Sequence, residues 1–281
     1  MQYSQEILSL IQNLEFQRLA EVRKFAAVGA VVVALTFLFF IKFRSLLLPF
    51  LIVSFFVLAG SFYFLNTNFK KSVESSLLPM LVKAIDKDFE YSSKSSVNSS
   101  ELNELKYFSH QIENIDSSGT ISIEDAKLSF INLNSIKVDT EEGEHPTSRF
   151  EGAVLVVDGV KSDQTYLIVK NSNQNREFEA GEYVNTKNMG LKPAMALKDG
   201  YKLLSNDGNS TLSQELIDKV INFTAGLELQ SFAILTNGKF YIFVDGMKGG
   251  FDISIFKNLK ESYFIGNYSE LLKRVKKVIA K

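Results

Sequence analysis

Two apolar runs near the start of the chain, residues 25–41 and 45–65, constrain this protein more than anything that follows them. They are 17 and 21 residues long, neither holds a charged side chain, and only Lys42-Phe43-Arg44 separates them. About 20 apolar residues cross a hydrocarbon core of about 30 Å, so each run has the length of a transmembrane helix. A helix on the surface of a soluble protein keeps a polar face, which these runs lack. Residues 25–65 are therefore expected to form a transmembrane helical hairpin, with the lipid bilayer as partner. A hairpin dipping into one leaflet is the alternative, and the combined length favours two crossings. The first run leads straight into the second where a cleaved signal peptide would carry a small-residue cleavage site, so it does not read as one.

Charge around the runs gives a direction. Arg18, Arg23, Lys24, Lys70, Lys71 and Lys83 flank one side, against Lys42 and Arg44 in the short turn. The positive-inside rule then predicts a two-pass protein with both termini in the cytoplasm. No Asp, Glu, Lys, Arg or His lies inside either run, which argues against a proton relay, ion path or substrate site there. Phe62, Tyr63 and Phe64 close the second run as an interfacial aromatic belt. Ala26, Ala30 and Ala34 recur every four residues, a small-residue stripe that lets another helix approach closely. It is expected to seat the second span; a second copy of the hairpin, giving a homo-oligomer, or a protein partner is the alternative.

After residue 65 the chain holds 26 basic and 29 acidic residues, so it lacks the basic excess of a nucleic-acid binder, and no nucleic-acid partner is expected. It has no cysteine, which excludes disulfides, thiolate metal sites and a cysteine nucleophile. Lysine outnumbers arginine 25 to 6, and Asn, Ser, Ile and Phe are frequent, a composition associated with AT-rich bacterial genomes. The expected location is the bacterial inner (cytoplasmic) membrane.

Hydrophobic periodicity divides the rest. Residues 1–24 carry Ile7, Leu10, Ile11 and Leu14 at helical spacing and predict an amphipathic helix on the membrane surface or against the later domain. Residues 66–114 predict a helical stalk: Val73, Leu77, Leu81 and Ile85 form one face, Pro79 kinks or breaks it, and the serine-rich stretch 91–100 is a flexible joint. A short helix follows near 101–109. Residues 115–281 predict a soluble, antiparallel β-rich domain, so the fold class is α+β. Strands are expected from Thr120 through Val138 and at 149–157; the acidic loop 139–148 lies between them. Asp158-Gly159 then turns the chain into a strand at 165–170, as a meander. Further strands are expected at 201–205, at 229–235 and 239–244 around Asn237-Gly238, and at 251–256. Ser213 should cap one helix and Ser269 a last one, whose apolar side (Leu271, Leu272, Val275, Val278) either packs on the sheet or rests on lipid.

Several local patterns accompany this layout: Phe69-Lys70-Lys71 leading to Pro79 and Tyr91, Phe150-Glu151-Gly152 before a five-residue apolar run, Tyr201-Lys202-Leu203-Leu204 before Leu212-Ser213, and Asn237-Gly238-Lys239-Phe240. On these the chain resembles a family of two-pass bacterial membrane proteins known only as a domain of unknown function. It departs from the family pattern at Gln214, where proline is frequent. The resemblance implies a membrane-anchored cytoplasmic domain and no chemistry.

The chemistry-bearing residues are sparse. His110 and His145 have no second histidine at the spacing of a helical zinc site. Glu141, Glu142, Glu144 and His145 offer donors to a divalent cation but read as a solvated acidic loop. Asp199, Asp207 and Asn209 lack the oxygen spacing of a calcium loop. The glycines between 246 and 250 join strand to strand, away from any helix N-terminus that would receive a phosphate. No catalytic, cofactor-binding or metal-ligating residue is assigned, and an enzyme is not the expected class. The expectation is a membrane-anchored cytoplasmic interaction or assembly module. The alternatives are a ligand or lipid sensor, or an enzyme of unrecognised type, with its site in residues 171–200, the longest weakly patterned stretch.

Overall fold

The computed structural model describes residues 4–108, 111–139, 143–170, 189–224, 231–246, 253–259 and 266–279. They fall into two compact units, Met1–Asp86 with Asp252–Tyr263, and Lys87–Phe251 with Phe264–Lys281.

The first unit is a helical hairpin far longer than its apolar runs. Helix α1 spans Gln5–Lys42, capped by Ser4, whose Oγ accepts from Ile7 N at 3.4 Å. At 1.5 Å per residue it is about 57 Å long, nearly twice the hydrocarbon thickness. The amphipathic segment expected as a separate element is thus the first five turns of α1; nothing between Gln5 and Lys24 is Gly or Pro, so nothing stops the helix. Phe43 N bonds Phe39 O at 2.8 Å, a 3-10 turn covers Arg44–Leu46, and α2 runs Leu47–Ile85. Pro79 does not end α2. Its neighbours Leu77, Leu78, Leu81 and Val82 are all buried, and that packing outweighs the one backbone hydrogen bond a proline removes.

Antiparallel pairing of α1 and α2 is fixed by rings at both ends of the apolar stretch. Phe39 stacks on Phe50 at 4.3 Å, and Phe25 meets Phe62 edge-on at 6.0 Å. Within the apolar run of α1 the half-buried positions are Phe25, Val28, Gly29, Val32, Thr36 and Phe39, whereas Ala26, Ala30 and Ala34 are exposed. The alanine stripe therefore does not seat the second span; the neighbouring stripe that runs through Phe25, Val28, Gly29 and Val32 does. A third piece of chain, 253–259, joins this unit. It forms turns where a strand over 251–256 was expected, with Lys257 N bonded to Ser254 O at 3.0 Å. Ile253 and Ile255 still face inward, so the alternation that suggested a strand is met by a turn. Residues 251–252 lie outside the described residues.

The second unit is built on an antiparallel sheet that has nine strands among the described residues. In chain order these are β1 Glu90–Ser92, β2 Ile112–Ile123, β3 Ala126–Asp139, β4 Gly143–Asp158, β5 Tyr166–Lys170, β6 Lys192–Ala196, β7 Tyr201–Ser205, β8 Ser231–Thr236 and β9 Lys239–Asp245. Their order in space is β1-β2-β3-β4-β9-β8-β5-β7-β6. The meander therefore stops at β4: β5 pairs with β7 and β8, and the β8–β9 hairpin lies between it and β4. The reason lies in the patterning. The strands β8 and β9 and the 153–156 stretch of β4 are buried on both faces, which only central strands can be. Asn237 and Gly238 take φ of 51° and 75°, the double positive φ of a type I′ turn. The edges are blunted. The strand β1 has three residues, and β6 carries Pro193 and a bulge.

One sheet face is covered by the segment around α3 (Ser99–Glu104), through Val97, Leu102, Leu105, Tyr107 and Phe108. The serine-rich joint is part of this cover. The Ser129 hydroxyl, fully buried on β3, accepts from Ser96 N at 3.1 Å and lies 2.6 Å from Ser96 Oγ and 2.7 Å from Thr120 Oγ1. Buried hydroxyls need partners, and the joint and β2 supply them. The predicted stalk thus divides: its helix ends at Ile85, and the rest belongs to the sheet unit. Helix α4, Gln214–Thr224, starts at Ser213 as expected, with Leu216 N on Ser213 Oγ at 3.3 Å. The last helix, α5, spans Gly266–Ile279, so it begins before Ser269, the cap expected from sequence. Leu271, Leu272, Val275 and Val278 are buried, and Arg274 Nη1 bonds Phe223 O of α4 at 3.0 Å. This favours the packed reading of the tail over one resting on lipid.

Candidate functional site

Three polar constellations in the sheet unit bring together side chains capable of chemistry. In the first, Glu101 sits in the first turn of α3, positioned by Asn98 Oδ1, which accepts from Glu101 N at 2.8 Å. Glu101 Oε1 accepts from Lys239 Nζ at 2.6 Å and from the Tyr241 hydroxyl at 2.8 Å. Asp158 lies 4.0 Å beyond Lys239, with Lys127 at 3.7 Å on its other side. The hydrogen bond to Glu101 and its charge raise the Lys239 pKa, and burial followed by the bond to Glu101 pushes Tyr241 above the usual phenol range. Both groups stay protonated donors, the opposite of the tuning a general base or nucleophile needs. The cluster ties α3 to β9.

The second gathers on Tyr166, whose ring is buried in β5. Its hydroxyl lies 3.1 Å from Asp163 Oδ1 and 2.5 Å from Thr211 Oγ1, and it accepts from Thr211 N at 3.2 Å and Gln164 Nε2 at 3.0 Å. Beside it Asp207 Oδ1 accepts from Asn209 N at 2.8 Å and Ser205 Oγ at 3.2 Å. The Thr211 hydroxyl holds Asp163 below the usual carboxylate range, and the Asn209 N–H does the same for Asp207. These hydrogen bonds close the loops 163–166 and 206–211. Tyr166→Phe is expected to cost about 1–3 kcal/mol, since it strips a buried node of its hydroxyl. Asp163 and Asp207 have depressed pKa values. Their contribution to stability is full above the ordinary value of 3.8 and is lost as pH falls through the lower folded values. Urea midpoints of the full chain taken from neutral to acid pH check this, and Asp163→Asn should flatten part of the acid loss.

The third is an open groove lined by Ser99, Ser100, Asn103, Glu104, Gln111 and Glu113. Its central amide is already used. Asn103 Oδ1 accepts from Ile112 N at 2.8 Å and its Nδ2 donates to Ile112 O at 3.0 Å, as a neighbouring strand residue would.

His110, Glu141 and Glu142 lie outside the described residues. Glu144 and His145, expected in a loop, belong to the backbone of β4, opposite Val138 and Lys137 of β3. Most of the 171–200 stretch, residues 171–188, also lies outside; its end forms β6 and a short turn. So do residues 247–250 of the glycine-rich loop. Among the described residues no group of three or more His, Cys, Asp or Glu is placed to hold a metal ion. The Glu101–Lys239–Tyr241 cluster escaped the sequence reading because its members are some 138 residues apart, with no local signature.

What the described structure does offer outward is apolar. On the paired helices Val33, Phe37, Phe55 and Phe56 are each about two-thirds exposed, and Leu48 is 70% exposed. Both helices are long and apolar enough to cross a membrane. No protein-family model matches the chain, and comparison with curated proteins and with solved structures likewise gave no match.

Proposed function

We propose that this chain is a two-pass anchor in the bacterial inner membrane that holds the sheet unit on the cytoplasmic side as an interaction or assembly module. The observation that carries the reading is the exposed band of large apolar side chains on α1 and α2, uninterrupted by any charge from 25 to 41 and from 45 to 65. Such a surface is stable in lipid and costly in water. The basic residues flanking the open end of the hairpin support the orientation. The module reading draws on the far end of the β3–β4 hairpin. Residues 136–139 and 143–146 pair only with each other among the described residues, a two-stranded arm beyond the sheet. Kinship with the two-pass bacterial family belongs to the same proposal.

The chain has no cysteine, so single-cysteine variants report unambiguously. Ser45→Cys in the turn should react with a membrane-impermeant maleimide on intact cells, and Ser93→Cys only after permeabilisation. The reverse pattern overturns the orientation, and release of the protein by alkaline carbonate overturns the anchor. A stoichiometric partner that stays bound after residues 1–68 are replaced by an unrelated anchor is the result expected of a module. Purification of the chain alone from its host counts against that role.

A further inference from the structure

The turn 254–257 has no place in an ordinary two-helix anchor, yet α1 and α2 hold its backbone on three sides. Arg18 Nη1 donates to Ile255 O at 2.9 Å, Asn66 Oδ1 accepts from Ile255 N at 3.0 Å, and Glu15 accepts from Leu259 N. Arg18 is itself fixed by Glu15 at 2.8 Å. Side chains spent on the main chain of a distant segment set its height along the hairpin, as a strand partner would. Ile255 is then fully buried, while its neighbour Phe256 points out and is 55% exposed.

Phe256 is not a stray surface ring. It stacks on Phe62 at 5.4 Å and 9°, and meets Phe25 edge-on at 5.7 Å. Phe25 opens the uncharged run of α1, directly after Arg23 and Lys24, and Phe62 stands near the close of the uncharged run of α2, next to the 73%-exposed Tyr63. The three rings therefore lie at the level where charge gives way to apolar surface, and the exposed side of Phe256 continues the lipid-facing band of the helices. At that depth an aromatic ring beside cationic side chains suits the boundary between phospholipid headgroups and acyl chains.

We infer that Phe256 is a membrane-interface contact: the 253–259 turn, clamped by Arg18, Asn66 and Glu15, seats this ring at the phospholipid glycerol level and makes the returning chain a third element of the anchor. The inference rests on the membrane reading above. It places a lipid-sensitive point in the chain after the sheet, so that the segments on both sides of Lys87–Phe251 are tied to the anchor unit.

The chain contains no tryptophan, so Phe256→Trp in the full-length protein, reconstituted in phosphatidylcholine–phosphatidylglycerol vesicles, gives one reporter. Lipids brominated at shallow or deep acyl positions quench by depth, and Phe37→Trp serves as the mid-span comparison. Phe256→Trp should lose more emission to shallow than to deep bromines, and Phe37→Trp the reverse. Quenching of Phe37→Trp with none at position 256 overturns the inference and leaves the anchor standing. No quenching at either position overturns both. Deep bromines quenching position 256 more strongly overturns the interfacial level. Adding Arg18→Ala and Asn66→Ala to Phe256→Trp should shift emission to the red and reduce shallow quenching; an unchanged profile removes these two as positioning residues.

Discussion

Phe243→Ala is expected to cost about 3–5 kcal/mol of the stability of the sheet unit, the usual range for deleting a buried phenyl ring. Phe243 is fully buried at the middle of β9. Phe232 of β8 stacks on it at 4.5 Å, Phe150 of β4 and Phe108 of the covering segment meet it edge-on at 5.8 Å, and Tyr241 lies 6.4 Å along the same strand. Those neighbours come from separate stretches of chain, and the spacing of β4, β9 and β8 is set by ladder hydrogen bonds. The walls of the cavity therefore cannot close, which puts the loss toward the top of its range. A domain has about 5–15 kcal/mol to lose, so unfolding should become visible at modest urea. Near-ultraviolet circular dichroism of the full chain in detergent, followed through a urea titration, measures it. Phe256→Ala should leave the midpoint nearly unchanged, because that ring is half exposed and outside this core. A midpoint for Phe243→Ala equal to that of the parent would mean that the aromatic stack does not hold the sheet together.

The same contrast explains what could be read in advance. The apolar runs, the Asn237-Gly238 hairpin and the Ser213 cap are local signals, each produced by residues a few positions apart, and the structure realises them. The position of β5 was not local. Asp158-Gly159 turns the chain, but which strand lies beside β4 depends on β8 and β9, more than 70 residues later, whose apolar middles (232–235 and 240–244) compete for the centre. Burial decides that contest, and periodicity within 165–170 does not record it. The alternation of Phe251, Ile253 and Ile255 misled for a related reason. A turn can also alternate inward and outward side chains, and only Arg18, Asn66 and Glu15 show that this stretch is held by helices. The polar clusters were invisible because Glu101 or Thr211 becomes meaningful only when β9 or β5 is brought against it.

Gly152→Ala should be about as damaging as a large core truncation, although it adds one methyl group. Gly152 is not among the glycines with positive φ, so space and not conformation requires the glycine. A Cβ there would sit 2.1 Å from the Val244 carbonyl oxygen and 2.9 Å from Phe150 Cζ. The oxygen belongs to β9, whose ladder with β4 pairs Gly152 with Asp245 and Ala153 with Val244. Relief therefore means prising apart the central strand pair. Overpacking typically costs about 1–3 kcal/mol when side chains can yield, and here the obstacle is main chain, so the loss should reach or exceed that range. Gly238→Ala is the control with the opposite cause. Open space surrounds Gly238, its nearest atom being 4.0 Å away, but its φ of 75° strains any side chain, at about 1–2 kcal/mol. Urea midpoints of the two variants should rank Gly152→Ala below Gly238→Ala. The reverse order would mean that β4 and β9 can separate locally at little cost, and that the sheet is held by its hairpins more than by its central pair.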